Sequence, residues 1–390
     1  MTMPYTDLKP KTRAGGPARS LGSDLPEGLR RRLEESKSLI AAPFRGVTAD
    51  GTPAPGLFKL QATGVSTDAI PHAADAFLAT LSSEQRAAAT FDIDSDAWRQ
   101  WCNVHPFLMR HGMSLDDMTV PQRDAALAVV AASLSEKGFK VARDVMKLNE
   151  HIREITGKDN EYGEWLYWMS IMGTPSADEP WGWQIDGHHL IINCMMVGDQ
   201  IVTTPACLGS EPVDAQSGKH KGTRVFHDEE SNGLALISSL TKEQRAKAVI
   251  SDDMPSEVFT TAFRDNFELH YEGIRYSDLA SGEQKLLLSL IDTYVSRERP
   301  GHAELRMEEV RQHLDQTYFA WMGATDKDAV FYYRVHSPVI LIEFDHQRGV
   351  ALDNDMPTRN HVHSIVRTPN GNDYGKDLLR QHREQAAHAD

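Results

Sequence analysis

The chain has three cysteines in 390 residues, Cys102, Cys194 and Cys207. They are too few for a disulfide framework and lack zinc-finger spacing, so they suit a reducing compartment and a cytoplasmic location is expected. No run of 18 apolar residues occurs, which excludes a helical membrane span. Basic residues are in deficit, 41 Lys and Arg against 56 Asp and Glu, for a formal net charge of −15. Nucleic acid and anionic lipid both demand clustered cations, so neither is an expected partner. The first twenty residues are basic with no apolar stretch behind them, so no secretory signal is expected. There is also no GxSxG elbow, no P-loop and no GxGxxG after a strand. Serine-hydrolase, nucleotide and dinucleotide chemistries therefore lose their usual signatures.

What is present divides the chain into three parts. Residues 1–25 carry Gly, Pro, Arg and Lys without apolar periodicity and are expected to form a flexible arm. Residues 26–160 are expected to be mainly helical. Within them Ser82 and Gln85 form a capping box, and Pro121 opens a helix through Ser135, with Gly138 just past its end. From residue 161 to 390 β-branched and aromatic runs dominate. Leu190–Val197, Gly198-Asp199 and Gln200–Thr204 read as a hairpin. Phe259–Glu272, Ala329–Phe344 and His361–Arg367 read as strands, Gly301–Ala324 as a helix, and Asp373 as the cap of a final helix through Gln385. The expected class is α+β, a helical N-terminal layer packed on a mixed, mainly antiparallel C-terminal sheet, with residues 26–390 forming one integrated domain.

The 17 histidines include two dense groups, Gly187-His188-His189 and His361-Val362-His363. Both lie in segments that read as strands. Residues i and i+2 of a strand share a face, so His361 and His363 can grip one metal. Neighbours on a strand face apart, so only one of His188 and His189 is expected to ligate, here His189. His188 is left for substrate or for a hydrogen bond to its neighbour, and joins Glu211 and Glu343 among the expected catalytic residues. Glu343 interrupts the apolar strand VFYYRVHSPVILIEF, and a buried carboxylate requires a charge partner or a proton. Glu211 follows the hairpin that starts at His189 and can return to the same end of the sheet. Either Glu211 or Glu343 completes the metal shell, and the other carries a proton in catalysis.

Such a shell suits a divalent transition metal. Three imidazoles with an open position fit Zn²⁺, and two imidazoles with a carboxylate fit Fe²⁺, with copper also accommodated. The expected function is hydrolysis of a small organic molecule by metal-activated water. Oxygen chemistry on iron or copper, or non-catalytic binding of a small molecule, are the alternatives. The aromatic cluster from Trp165 to Trp183 supplies a candidate substrate wall through Trp183. No sequence feature fixes the oligomeric state.

Several segments, taken together and in order, resemble the bacterial and fungal family of unknown function numbered 3500. They include Trp98-Arg99-Gln100-Trp101-Cys102-Asn103, Trp181-Gly182-Trp183 leading into Gly187-His188-His189, and Gly209-Ser210-Glu211-Pro212. His361-Val362-His363 with Arg367, Pro369, Asp373, Tyr374 and Gly375 closes the pattern. The resemblance runs from about residue 40 onward and implies kinship but no reaction. It does place the histidine pairs in a recurring whole-chain pattern, beside Arg367 and Tyr374, which join Trp183 as expected substrate-binding residues.

Overall fold

The computed structural model describes residues 8–11, 27–103 and 108–388. Its centre is one mixed sheet. The strands in chain order are β1 (Thr90–Phe91), β2 (Met113–Ser114), β3 (Tyr167–Met172), β4 (Trp181–Gly187), β5 (Leu190–Val197), β6 (Gln200–Val202) and β7 (Ala206–Ser210). They continue with β8 (Val249–Ser251), β9 (Ile274–Arg275), β10 (Tyr318–Gly323), β11 (Phe331–His336), β12 (Leu341–Arg348) and β13 (Pro357–Arg367). The main path runs β1-β3-β4-β5-β7-β13-β12-β11-β10-β8. Only the outer pairs β1–β3 and β8–β10 are parallel along it, so the sheet is mainly antiparallel as expected.

Alternation along each strand sorts the residues onto two faces with different cover. Tyr167, Trp183, Leu190, Leu208, Val362 and Phe344 belong to the larger apolar core, shared with helices such as Val120–Ser133, Glu136–Thr156 and Ser281–Val295. This is the helical layer. The opposite face carries Ile191, Cys207 and Ile365 and is covered by loops bearing Trp98, Trp101, Val258 and Tyr374. Strand register places His363 opposite Asp345 and Gly209, and Ile365 opposite Glu343 and Cys207, so all of these lie on the loop-covered face. Ionisable groups are therefore concentrated on one side of the sheet and aliphatic packing on the other.

Local expectations hold where a cap or a turn dictates the chain. Ser82 and Gln85 form the capping box of helix Ser83–Ala89, and Val197 pairs Gln200 across the Gly198-Asp199 turn. Others fail for identifiable reasons. The helix that contains Pro121 stops at Ser133, because Ser135 caps the next helix and Gly138 lies inside it. Gly138 is needed there, since a Cβ would meet the Arg297 carbonyl oxygen. Phe259–Glu272 is irregular rather than a strand, Ser337-Pro338 divides Ala329–Phe344 into two strands, and Gly301–Ala324 becomes helix His302–Gln312 followed by β10. Asp373 does not cap the last helix, Lys376–Ala387, which begins after Gly375. Most of the expected N-terminal arm lies outside the described residues, but residues 8–11 are tied down. Lys11 N donates to the Ala351 carbonyl at 2.8 Å and Lys9 N to Asp353 at 2.8 Å.

Candidate metal centre

His188 and His189 are the two turn residues between β4 and β5, where Gly187 pairs Leu190. The alternation rule for strands therefore does not apply to them. His189 takes φ +62°, a left-handed conformation that costs a non-glycine residue on the order of 1 kcal/mol. Its amide donates to the Asn103 carbonyl at 2.9 Å, and its own carbonyl accepts from Gly209 N at 2.8 Å. The turn is thus held at both sides with the His189 ring aimed across β7 toward β13. The His188 ring stacks on His189 with centroids 3.8 Å apart, and its Nδ1 meets Asn149 Oδ1 at 2.9 Å. His188 packs behind a histidine of the centre, a different place from the catalytic one expected of it.

His361 and His363 come from β13, where the register slips against β12 beside His346 and Gln347. The slip leaves residues between Thr358 and Val362 unpaired with β12, a bulge of the kind that re-aims side chains. The three Nε2 atoms converge: His189 to His363 is 3.0 Å, His189 to His361 is 3.2 Å, and His361 to His363 is 3.2 Å. All three residues are buried.

The outer nitrogens settle what the inner ones carry. His361 Nδ1 lies 2.7 Å from the Arg348 carbonyl, and His363 Nδ1 lies 2.7 Å from Glu257 Oε1. A carbonyl or carboxylate only accepts, so both Nδ1 atoms hold the hydrogen. In the neutral rings both Nε2 atoms then present lone pairs to each other. Adding His189 cannot cure this. Among three atoms in mutual contact, each either donor or acceptor, at least one contact joins two of a kind. A cation at the centre resolves all three contacts together. Edges of 3.0–3.2 Å suit three imidazole nitrogens shared by one ion, so His189, His361 and His363 would hold a transition metal of the zinc type. The triad is the shape of a three-histidine metal site.

Electrostatics around it is asymmetric. Burial, reinforced by the neighbouring histidines, holds His189 far below the ordinary imidazole range. Burial also lowers His361. Burial alone would lower His363 too, but the Glu257 carboxylate outweighs it and raises the imidazole. Burial opposes the charge on Glu257, yet His363 keeps that carboxyl below its usual value. Asp345, opposite His363, is pushed well up by burial and then by the charge of Glu257. Glu257 and the Arg348 carbonyl are therefore the groups that orient the His363 and His361 rings.

The two expected carboxylates have other work. Glu211 lies behind the triad, 3.7 Å from His361 Nδ1, on the side away from the convergent nitrogens. It accepts from the amides of Val350, Ala351 and Leu352 at 3.0–3.1 Å, which fastens the segment following β12. Glu343 accepts from Phe259 N, Thr260 N, Thr260 Oγ1 and Tyr332 Oη at 2.5–2.9 Å and meets no histidine. Its hydrogen bonds come from the loop that carries Glu257 and from Tyr332 on β11, and the Arg334 guanidinium on β11, opposite Glu343, adds a favourable charge. Neither glutamate lies on the Nε2 side of the triad: Glu211 is near His361 Nδ1, and Glu343 is occupied by Phe259, Thr260 and Tyr332.

The expected substrate residues also lie elsewhere. Trp183 is on the helix-covered face and donates from Nε1 to Ser133 Oγ at 2.9 Å. Arg367 donates to the Thr260 carbonyl at 2.7 and 3.0 Å and to Asp373 at 2.8 Å. Tyr374 Oη accepts from Trp101 Nε1 at 3.0 Å. Arg367 and Tyr374 thus brace the loop cover. Glu257 escaped sequence inspection because it sits in an irregular loop with no periodicity, and no local pattern marks it. Cys207 is buried and its thiol is pushed well up by burial, which fits packing rather than nucleophilic attack.

Gly209 completes the construction. A Cβ there would come within 2.6 Å of the Val362 carbonyl, 2.8 Å of the His363 ring and 2.9 Å of the His189 ring. Gly209→Ala is expected to spread the triad and weaken metal binding by at least about tenfold, the scale of losses from disturbed metal surroundings. Competition titration with a chromogenic chelator measures it. Unchanged affinity would show that the rings are free to shift.

The chain belongs to a family described as proteins of unknown function, DUF3500, whose model matches residues 63–376. No curated protein and no solved structure matches it.

Proposed function

We propose that this member of the family is a metal-dependent enzyme acting on a small organic molecule, with His189, His361 and His363 holding the metal. The observation that carries the reading is the convergence of three Nε2 atoms at 3.0–3.2 Å while two of the rings donate outward through Nδ1. A protein without a cation to bind gains nothing from that arrangement. All three donors are imidazole nitrogen, and the neighbouring carboxylates Glu211 and Glu257 face Nδ1 atoms. This favours Zn²⁺, with copper next, over the two-histidine–one-carboxylate set typical of iron. A Zn²⁺ ion of this kind brings bound water to a pKa of about 7, so hydrolysis is the favoured reaction class. Oxygen chemistry on copper or iron is the second reading, kept because the same imidazole set serves those metals.

Within this reading the protein's own groups position and insulate. Glu257 and the Arg348 carbonyl fix the tautomers of His363 and His361, and burial favours the neutral form of His189 and His361. The three cysteines are free and buried, which accords with a reducing compartment, and we place the protein in the cytoplasm. Among the described residues no helix is long and apolar enough to cross a membrane.

The test is elemental analysis of the purified protein together with a turnover screen of small esters, amides and diketones. About one transition-metal ion per chain is expected, with turnover lost on chelation and restored by that metal. Zinc with hydrolysis supports the first reading, and copper or iron with oxygen consumption supports the second. A metal-free protein whose melting temperature ignores both chelator and added metal would remove both.

A further inference from the structure

A cavity of about 510 Å³ opens on the sheet at the opposite end of β7 from the histidines. Its walls come from the Gly56–Thr63 segment, from β6 and the two threonines after it, and from the His302–Gln312 helix. No residue of the metal centre lines it. Thr204 is five residues from Gly209 along an extended chain, which separates the two places by roughly 16 Å. The volume is ordinary for a small-molecule site.

The polar groups on its wall are unevenly satisfied. Arg306 is consumed: one terminal nitrogen donates to the Val339 carbonyl and to Thr368 Oγ1, both at 2.9 Å, and the other pairs with Glu309. The Arg306–Glu309 pair is therefore neutral as a unit. Glu298, by contrast, accepts from the Thr203 hydroxyl and has no ion pair among the described residues. His302 Nε2 lies 2.9 Å from the Asp199 carbonyl and must be its donor, so Nδ1 holds a lone pair. That Nδ1 is buried and has no partner, while the residue is 4% exposed. Three carboxyls line the cavity, but Glu309 pairs with Arg306 and Glu308 with Arg311, which leaves Glu298 and the His302 nitrogen, beside apolar surface from Phe58, Ile201 and Leu305. Lys59 lies at the exposed rim.

We propose that this cavity is a second ligand site, independent of the histidine centre, for a small organic cation that carries a primary ammonium on an apolar body. The ammonium pairs with the Glu298 carboxyl and has a further N–H for His302 Nδ1, and the body lies on Phe58, Ile201 and Leu305. Burial raises the Glu298 carboxyl to about 7, against the opposing influence of Arg306 and Thr203 and with a smaller contribution from Glu309. Glu298 is therefore a carboxyl short of a counter-charge, which the ligand supplies. Burial holds His302 below its usual range, so its Nδ1 stays an acceptor.

The probes are 2-phenylethylamine, the neutral 2-phenylethanol and the anionic phenylacetate, titrated by calorimetry and ligand-observed NMR at pH 8. The expected order places the amine at least about tenfold tighter than the alcohol, the scale of one charge-assisted hydrogen bond, with phenylacetate weakest. Glu298→Gln should bring the amine down to the level of the alcohol. Leu305→Trp, at a position 42% exposed, should block amine and alcohol together without touching the carboxyl. Both results should be the same before and after chelator treatment, which separates this site from the metal reading. Equal binding of amine and alcohol, tighter binding of phenylacetate, or no binding of the amine overturns the proposal. So does amine binding that survives Leu305→Trp.

Discussion

His361→Ala and His363→Ala proteins are expected to lose stoichiometric metal, retaining less than about a tenth of it, because two imidazoles do not hold a zinc-type ion against dilution. The same proteins should lose turnover and lose the response of their melting temperature to chelator. For the unaltered protein that response should be large. A metal present at roughly 1,000 times its Kd stabilises the folded chain by about 4 kcal/mol. Metal-free variants should be close in stability to the metal-free parent, since deleting one ring also removes two of the three crowded Nε2 contacts. Glu257→Gln separates ligation from orientation. The amide oxygen still accepts from His363 Nδ1, but the charge is gone, and metal affinity should fall about 10- to 100-fold while one ion per chain still binds at saturation. Elemental analysis, chelator competition and calorimetry on the four proteins provide the check. Full metal occupancy in His363→Ala would sink the three-histidine assignment.

Glu343→Ala should unfold the protein more readily rather than merely silence it. Its carboxylate takes hydrogen bonds from two backbone amides, one threonine hydroxyl and one tyrosine hydroxyl, and the side chain is fully buried. Removing the acceptor leaves these donors without partners, at about 1–3 kcal/mol for each that stays buried, so a loss of about 4–5 kcal/mol is expected. Glu343→Gln keeps one acceptor oxygen but turns an NH2 toward donors, and should cost about 3 kcal/mol. Urea denaturation of the metal-free proteins measures both without interference from ligand binding. The freed loop carries Glu257, so metal affinity should also drop in step. An unchanged denaturation midpoint with abolished turnover would return Glu343 to a catalytic role.

The contrast between Glu343 and Glu257 shows where the sequence was legible. Glu343 stood out because a charge in an apolar strand violates the burial pattern, and the violation is real. The pattern could not say what satisfies the carboxylate, since three of its four donors come from residues more than eighty positions away in an irregular loop. Glu257 lies in that loop and violates nothing. His361 and His363 were legible because a strand fixes the direction of side chains two apart. His189 joins them as expected but by another route: His188 and His189 form a turn, where strand alternation does not hold, His189 takes a left-handed backbone and its ring stacks with His188. Trp183 shows the opposite error. Its period along β4 was readable, but which face of the sheet the helices would cover was not.

By itself, then, the sequence determined the class of fold, the Ser82 and Gln85 capping box, the β5–β6 turn and the same-face pairing of the two histidines on β13. Each depends on neighbours within a few residues, through caps, alternation or turn chemistry. Only the tertiary structure decided that His189 joins them, that Glu257 rather than Glu211 or Glu343 orients His363, and that Gly209 leaves room for the rings. Those outcomes follow from strand order and register, which bring together segments around residues 189, 209, 257 and 361. They are set by long-range packing against two differently covered faces, and no local pattern encodes that packing.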